Sequence, residues 1–306
     1  MTVRISLPDE QTRDRFSDLD VDSVVWDFSG PPPADGPPLD LAVRPYVLTG
    51  DLSVLDAHRV RAVQAQSLGY DDAIGNVPDG ITWCNAVGVH EGATAEIALG
   101  LVLSAQRDLD RYARAMGTGT WEKTWTPGLI GLTVLLVGHG GIGREVERRL
   151  AGFDVDVVRV ASRARDDAWG HVHGTDELPG LLPTADVVVV AVPLSDSTAG
   201  LVDDAFLAAL PDGALVVNVG RGRLADHEAV LRHVRSGHVR FAADVWDPEP
   251  LPADHPLWSE PGVLVSPHVG GMTHSMHDRV EALVREQVRR LQAGEPLTHV
   301  VDAVRP

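Results

Sequence analysis

The stretch Val134-Leu135-Leu136-Val137-Gly138-His139-Gly140-Gly141-Ile142-Gly143 decides the fold of this chain. Four consecutive apolar residues without polar alternation read as a strand buried on both faces of a parallel sheet. The glycines after it match G-x-G-x-x-G, and residues 143–151 have the pattern of a helix. The first glycine allows a tight turn, and the second lets backbone approach a pyrophosphate. The third lets the helix pack closely on the strand, and the helix N-terminus favours negative charge. With a strand before it and a helix after it, the motif reads as a dinucleotide site; a glycine-rich turn without ligand is the plainer alternative. The residues expected at the cofactor are Gly138, His139, Gly140, Gly141, Ile142 and Gly143.

Similar apolar runs recur at 155–160, 187–192, 215–219, 241–245 and 263–265, with helix-length segments such as 203–210 and 226–236 between them. That alternation predicts a doubly wound parallel sheet. Upstream, candidate strands at 3–7, 23–27, 41–47, 60–64 and 81–85 suggest a second, smaller α/β domain. Residues 30–38 (GPPPADGPP) hold five prolines and cannot be regular structure. Residues 93–114 read as one long buried helix, since Glu96 interrupts an apolar core too short for a bilayer. The last helix, 273–291, is free to return to the first domain.

The composition is that of a globular protein: 306 residues, 44% hydrophobic and 23% charged. No apolar run reaches the roughly 18–20 residues of a membrane span. The formal net charge of −18 argues against nucleic acid and anionic membrane as partners. It also means that an anionic substrate must meet a local positive cluster. The single cysteine, Cys84, permits no intrachain disulfide and reads as a buried, inert thiol in a reducing compartment. With no signal-peptide pattern in the first residues, the expected location is cytoplasmic.

Residues 132–143 (LTVLLVGHGGIG) resemble the cofactor-domain signature of the D-isomer-specific 2-hydroxyacid dehydrogenases. Three later segments resemble further motifs of that family, in its order. Asn218-Val219-Gly220-Arg221-Gly222 is similar to N-x-x-R-G. Asp244-Val245-Trp246-Asp247-Pro248-Glu249-Pro250 is similar to D-V-F-x-x-E-P, and Pro267-His268-Val269-Gly270 to P-H-x-G/A. Ser67-Leu68-Gly69-Tyr70-Asp71 and Asn85-Ala86-Val87-Gly88 also have counterparts. The resemblance implies two doubly wound α/β domains, with a Rossmann cofactor domain inserted into a flavodoxin-like catalytic domain. On this chain the domains would be 96–273 and 1–95 plus 274–306.

Reducing a 2-keto acid requires a grip on the carboxylate, polarisation of the carbonyl and a proton delivered as hydride arrives. A guanidinium supplies the first two and an imidazole the third, while a carboxylate on the imidazole fixes its tautomer. By resemblance these roles fall on Arg221, His268 and Glu249, each beyond the carboxyl end of an expected strand. Arg221 and His268 would also touch substrate, together with Leu68 and Gly69. Cofactor contacts implied in the same way are Val192, Pro193, Thr198, Val219, Gly220, Asp244 and Gly270. Twenty-five of the 26 basic residues are arginine, so any one arginine could be a surface charge. Context, with Gly220 and Gly222 on either side, distinguishes Arg221.

An NAD site places an acidic residue about 20 positions past the glycine motif. Here that position is Ala161, followed by Ser162-Arg163-Ala164-Arg165. Ser162, Arg163 and Arg165 would suit a 2′-phosphate, so NADP is the expected cofactor, with NAD possible. The resemblance is strongest to the NADP-dependent glyoxylate and hydroxypyruvate reductases, and implies a homodimer acting on a small 2-keto or 2-hydroxy acid. Two departures stand out. Gly141 replaces an arginine common in the family, and the substrate loop 67–72 has no basic residue, which favours an unphosphorylated substrate. A cofactor-sensing corepressor of the same fold is the rival reading. His171/His173 and His274/His277 have spacings open to a metal, but no matching carboxylate set is evident in the sequence, and none is expected to bind one.

Overall fold

Two buried parallel sheets organise the chain in the computed structural model, which describes residues 2–46 and 52–304. The chain divides into two compact units, 1–90 with 274–306 and 91–273.

In the first unit, β1 (Val3–Leu7), β2 (Val21–Val25), β3 (Leu41–Val43), β4 (Ala62–Gln64) and β5 (Thr82–Cys84) form a parallel sheet in the order β2-β1-β3-β4-β5. This is the flavodoxin-like order, in which the chain reverses direction across the sheet at β1 and β3. Connections expected to be helical are mostly irregular, and only α1 (Glu10–Asp14) intervenes between β1 and β2. The proline loop is held from outside itself. Arg4 Nη1 donates to Pro37 O at 2.6 Å and Arg59 Nη2 to Pro33 O at 2.5 Å, giving these carbonyls the partners that a segment without regular structure does not supply. One core of this unit gathers Trp26, Phe28, Leu39, Val63 and Trp83. Cys84 is fully buried, and burial pushes its thiol up to about 12. Residue 47, the end of one expected strand, lies outside the described residues.

The second unit opens with α2 (Glu91–Gln106) and α3 (Leu109–Met116). The single helix expected over 93–114 is therefore broken. Arg240 explains the stop: its guanidinium donates to Ala105 O at 2.9 Å and to Gln106 Oε1, capturing the carbonyl end of α2. Asp108 then takes a left-handed φ of 52°. Next come β6 (Thr133–Val137), α4 (Gly141–Leu150), β7 (Asp156–Ala161), β8 (Arg165–Asp167) and β9 (Gly170–Gly174). After them follow α5 (Leu178–Leu181), β10 (Val187–Val190), α6 (Asp204–Ala208), β11 (Ala214–Asn218), α7 (His227–Arg235), β12 (Val239–Ala243) and β13 (Val263–Val265). The sheet runs β13-β12-β11-β10-β6-β7-β9-β8, parallel except for the β8–β9 hairpin. That hairpin is absent from the sequence reading because it is a polar edge, with only Val172 fully buried.

Helix α2 and α4 cover one face of this sheet through Ala98, Val102, Val146 and Leu150; Phe206, Leu207, Val230 and Val234 cover the other. The last helix, α8 (Ser275–Ala293), belongs to the first unit, where Met276, Val280, Val284 and Val288 pack on Ile5, Leu41 and Ala62. Among the described residues no helix is long and apolar enough to cross a membrane.

Candidate active site

Strands β6, β10 and β11 are neighbours, so the turns at their carboxyl ends lie side by side. Gly138 has φ +109°, and a Cβ there would sit 2.6 Å from Ala191 O beyond β10. Gly143 presses its Cα against the Gly138 carbonyl, leaving no room for a side chain. Gly140 differs. It is exposed at the N-cap of α4, and a Cβ on it would meet no protein atom within 4 Å. Packing does not require glycine there, so the bare backbone leaves open approach to the helix N-terminus, which suits a pyrophosphate. Gly141 has a local cause: a Cβ there would lie 2.7 Å from Glu91 Cγ, so any side chain would have to displace this glutamate.

The turn after β11 carries Arg221. Asn218, fully buried, ties it from both sides: Oδ1 accepts Gly220 N–H at 3.0 Å and Nδ2 donates to Arg221 O at 2.9 Å. Arg221 is half-buried, with Nη1 donating to Gly220 O at 2.8 Å. Gly222 lies directly against the Trp246 carbonyl, which brings the Arg221 turn onto the turn after β12.

That second turn carries Glu249. Its Oε1 accepts Trp246 N–H at 2.8 Å and its Oε2 lies 2.7 Å from His268 Nδ1. Burial disfavours the glutamate anion, yet the hydrogen bonds from His268 and the Trp246 backbone hold its carboxyl below the usual range. The same hydrogen bond raises His268 above the ordinary imidazole value, against burial and the Arg221 charge. His268 itself has a left-handed φ of 55°, a conformation that costs a non-glycine residue energy and persists only where surroundings impose it. Asp244 imposes it. Its buried carboxylate accepts Ser266 Oγ–H at 2.5 Å, Val269 N–H at 2.9 Å and Gly270 N–H at 2.7 Å, gripping the turn on both sides of His268.

A cationic arginine thus lies within electrostatic reach of an imidazole backed by an anion, on the same sheet end as the glycine turn. Residues 99–270 match the family described as D-isomer specific 2-hydroxyacid dehydrogenase, NAD binding domain. The chain belongs to this family. A glyoxylate reductase from Thermofilum pendens is 30% identical over 259 residues, covering 80% of this chain and 76% of the relative. A D-3-phosphoglycerate dehydrogenase from Mycobacterium leprae is 34% identical, covering 88% of this chain but 51% of its own length. The crystal structure of a D-isomer specific 2-hydroxyacid dehydrogenase from Xanthobacter autotrophicus Py2, in complex with NADPH and MES, superposes with TM-score 0.83 at 26% identity. That match covers 99% of this chain and 98% of the other.

As a member of the D-2-hydroxyacid dehydrogenase family, the protein is an oxidoreductase that transfers hydride between a nicotinamide cofactor and a 2-keto or 2-hydroxy acid. Nothing in the comparisons favours the cofactor-sensing alternative. The expected site residues are placed unevenly. Arg221, Glu249 and His268 converge; Leu68 and Gly69 belong to the other unit, where Asn85 Nδ2 donates to Leu68 O at 2.8 Å and Ser67 Oγ to Gly69 O at 2.8 Å. Ser162, Arg163 and Pro193 are exposed, whereas Val192, Ile142 and Val219 pack into the core around the turns. The Thr198 hydroxyl is spent within its loop, donating to Pro193 O and accepting Ser195 N–H, both at 2.8 Å.

His139 is turned inward. Its ring is fully buried, with Nε2 2.7 Å from Glu147 Oε2, and Glu147 in turn binds Arg159 of β7. Arg165 reaches back from the hairpin to donate to His139 O at 3.1 Å. The sequence reading missed Glu147, Arg159, Asn218 and Ser266, since none touches the site and each acts through another residue. Arg44 was missed beside the substrate loop. It follows β3, is buried and pairs with Asp72 at 2.5 Å, a contact across 28 positions.

Proposed function

We propose that the protein is an NADPH-preferring reductase of small unphosphorylated 2-keto acids, of the glyoxylate and hydroxypyruvate class. The observation that carries this reading is the His268–Glu249 pair beside Arg221, at the sheet end that bears the glycine turn. In it residues 91–273 bind the cofactor, and Leu68 and Gly69 are substrate contacts. The cofactor supplies the hydride. Arg221 holds the substrate carboxylate and polarises the carbonyl, and His268 donates a proton to the carbonyl oxygen while Glu249 keeps its Nδ1 hydrogen-bonded. Glycines 138, 140 and 143 leave backbone against the pyrophosphate, and Val192, Pro193, Gly220 and Gly270 line the turns beside it.

Support for NADPH is local. Arg163 is exposed and makes no hydrogen bond or ion pair with any described residue, and Ser162 beside it is likewise uncommitted. Both can turn to a 2′-phosphate. Arg165 is more committed, and steadies the glycine turn through its bond to His139 O. The relative crystallised with NADPH is consistent with this choice. A phosphorylated substrate is disfavoured because Arg44, a buried cation next to the substrate loop, is already paired with Asp72. We place the enzyme in the reducing cytoplasm, in keeping with its unpaired Cys84.

A homodimer belongs to the same reading. Helix α2 is largely buried in its own unit. Exposed apolar side chains follow it instead: Met116 is 81% exposed, Trp121 93% and Ile130 82%. A second copy is the fitting cover, because a closed two-fold interface hides such a surface on both partners at once. The deciding experiment is steady-state turnover of a keto-acid panel, glyoxylate, hydroxypyruvate and 3-phosphohydroxypyruvate, with NADPH and NADH. Glyoxylate or hydroxypyruvate with NADPH should give the highest kcat/KM. Preference for the phosphorylated acid, or for NADH, would reject the corresponding half of the proposal.

A further inference from the structure

His171 and His173 take no part in the chemistry above. They are two residues apart on β9, so their side chains stand on one face of the strand, while Val172 between them is buried on the other. The two rings meet edge to face with centroids 4.6 Å apart. Each Nδ1 faces a carboxylate: Asp166 Oδ1 lies 2.8 Å from that of His171, and Glu177 Oε2 lies 2.8 Å from that of His173. Asp166 is the cross-strand partner of His171 in the β8–β9 hairpin. Glu177 stands in the turn after β9, where its other oxygen accepts Gly174 N–H at 2.9 Å. The ligating atoms of His171, His173 and Glu177 all lie within 4.8 Å of one another. The expectation that these histidines lack a matching carboxylate is therefore corrected: the hairpin and the turn bring two.

We propose that His171, His173 and Glu177 form a binding site for one divalent transition-metal ion of the Zn2+ class. Two imidazoles with a carboxylate are the donor set such ions prefer, whereas Mg2+ and Ca2+ take oxygen ligands. Asp166, accepting from Nδ1–H of His171, would leave Nε2 of that ring as its ligating nitrogen, the usual arrangement behind a metal-bound histidine. Asp166 and Glu177 set two carboxylates against the two imidazoles, and a divalent cation neutralises such a cluster. The three ligands come from β9 and the following turn and leave positions for water, so the ion would pin this edge of the sheet.

The test uses the full chain without a histidine tag, stripped with a chelator and titrated with Zn2+ by calorimetry, with Co2+ absorption as a second readout. One ion per chain is expected, with a rise in Tm on adding Zn2+. His171→Ala and His173→Ala should each abolish the one-to-one binding and the Tm rise. Asp166→Asn, which keeps the side-chain shape, should weaken binding by about 10- to 100-fold. His58→Ala, an exposed histidine of the other unit, should leave binding unchanged. Circular dichroism identifies any variant that fails to fold, and Asp166→Asn then carries the test. Absence of saturable binding, or equal binding in the double variant His171→Ala/His173→Ala, would overturn the site.

Discussion

His268 Nδ1 and Glu249 Oε2 are 2.7 Å apart, although nineteen positions and a strand separate the two residues in sequence. The pair gives the imidazole its charge preference: the carboxylate stabilises the protonated ring, and the ring stabilises the carboxylate. Keto-acid reduction consumes a proton, so kcat/KM should be level at low pH and fall as pH rises through the raised His268 value. Glu249→Gln removes the cause of the increase and should move this falling limb to lower pH. A pH–rate profile of the reductive reaction checks it; an unmoved limb would show that Glu249 does not set the imidazole.

His268→Ala deletes the proton donor and spares the glycine turn. Turnover should fall about 100- to 10,000-fold, with NADPH affinity by fluorescence titration nearly unchanged. Activity within a factor of three of the parent would remove His268 from the mechanism.

Arg221→Lys keeps the charge and loses the planar fork that can hold a carboxylate and a carbonyl oxygen together. Both KM for the keto acid and kcat should worsen, by about tenfold or more in kcat/KM if one charge-assisted hydrogen bond of about 1.5–3 kcal/mol is lost. Parent-like kinetics would mean that a point charge is enough and that the forked contact is not made.

Asp244→Ala leaves the Ser266 hydroxyl and the Val269 and Gly270 N–H groups without their acceptor. Each buried donor left unsatisfied costs about 1–3 kcal/mol, and the left-handed backbone of His268 loses its restraint. Expected together are a lower Tm and a loss of kcat larger than the change in keto-acid KM. A Tm equal to the parent's would show that the turn holds itself.

Arg163→Ala should raise KM for NADPH severalfold and leave that for NADH almost unchanged, because the guanidinium has no described protein partner to lose. Equal effects on both cofactors would instead indicate a general disturbance of the hairpin.

Light scattering at micromolar concentration should give about twice the 32.8 kDa chain mass. Trp121→Glu combined with Met116→Glu should shift it toward a single chain. A monomer for the parent protein would leave Met116, Trp121 and Ile130 needing another partner.

The sequence by itself determined the parallel strands and the glycine turn. A run such as Val187–Val190 can be buried on both faces only inside a sheet, and Gly138 and Gly143 stand where no side chain fits. Its motifs, through their resemblance to the family, also pointed to Arg221, Glu249 and His268, and each follows a strand at its carboxyl end, where ligands bind in open α/β sheets. Tertiary structure decided what depends on contacts distant in sequence. The helix expected over 93–114 is cut where Arg240, on a strand more than a hundred positions away, takes the Ala105 carbonyl and the Gln106 side-chain oxygen. Asn218 and Asp244 stand in motifs of the sequence, but that their oxygens close on the turns of Arg221 and His268 is legible only in the fold. The hairpin β8–β9 was illegible because an edge strand needs almost no apolar residues. Its pairing is what sets Asp166 against His171, a relation that spacing along the chain does not encode.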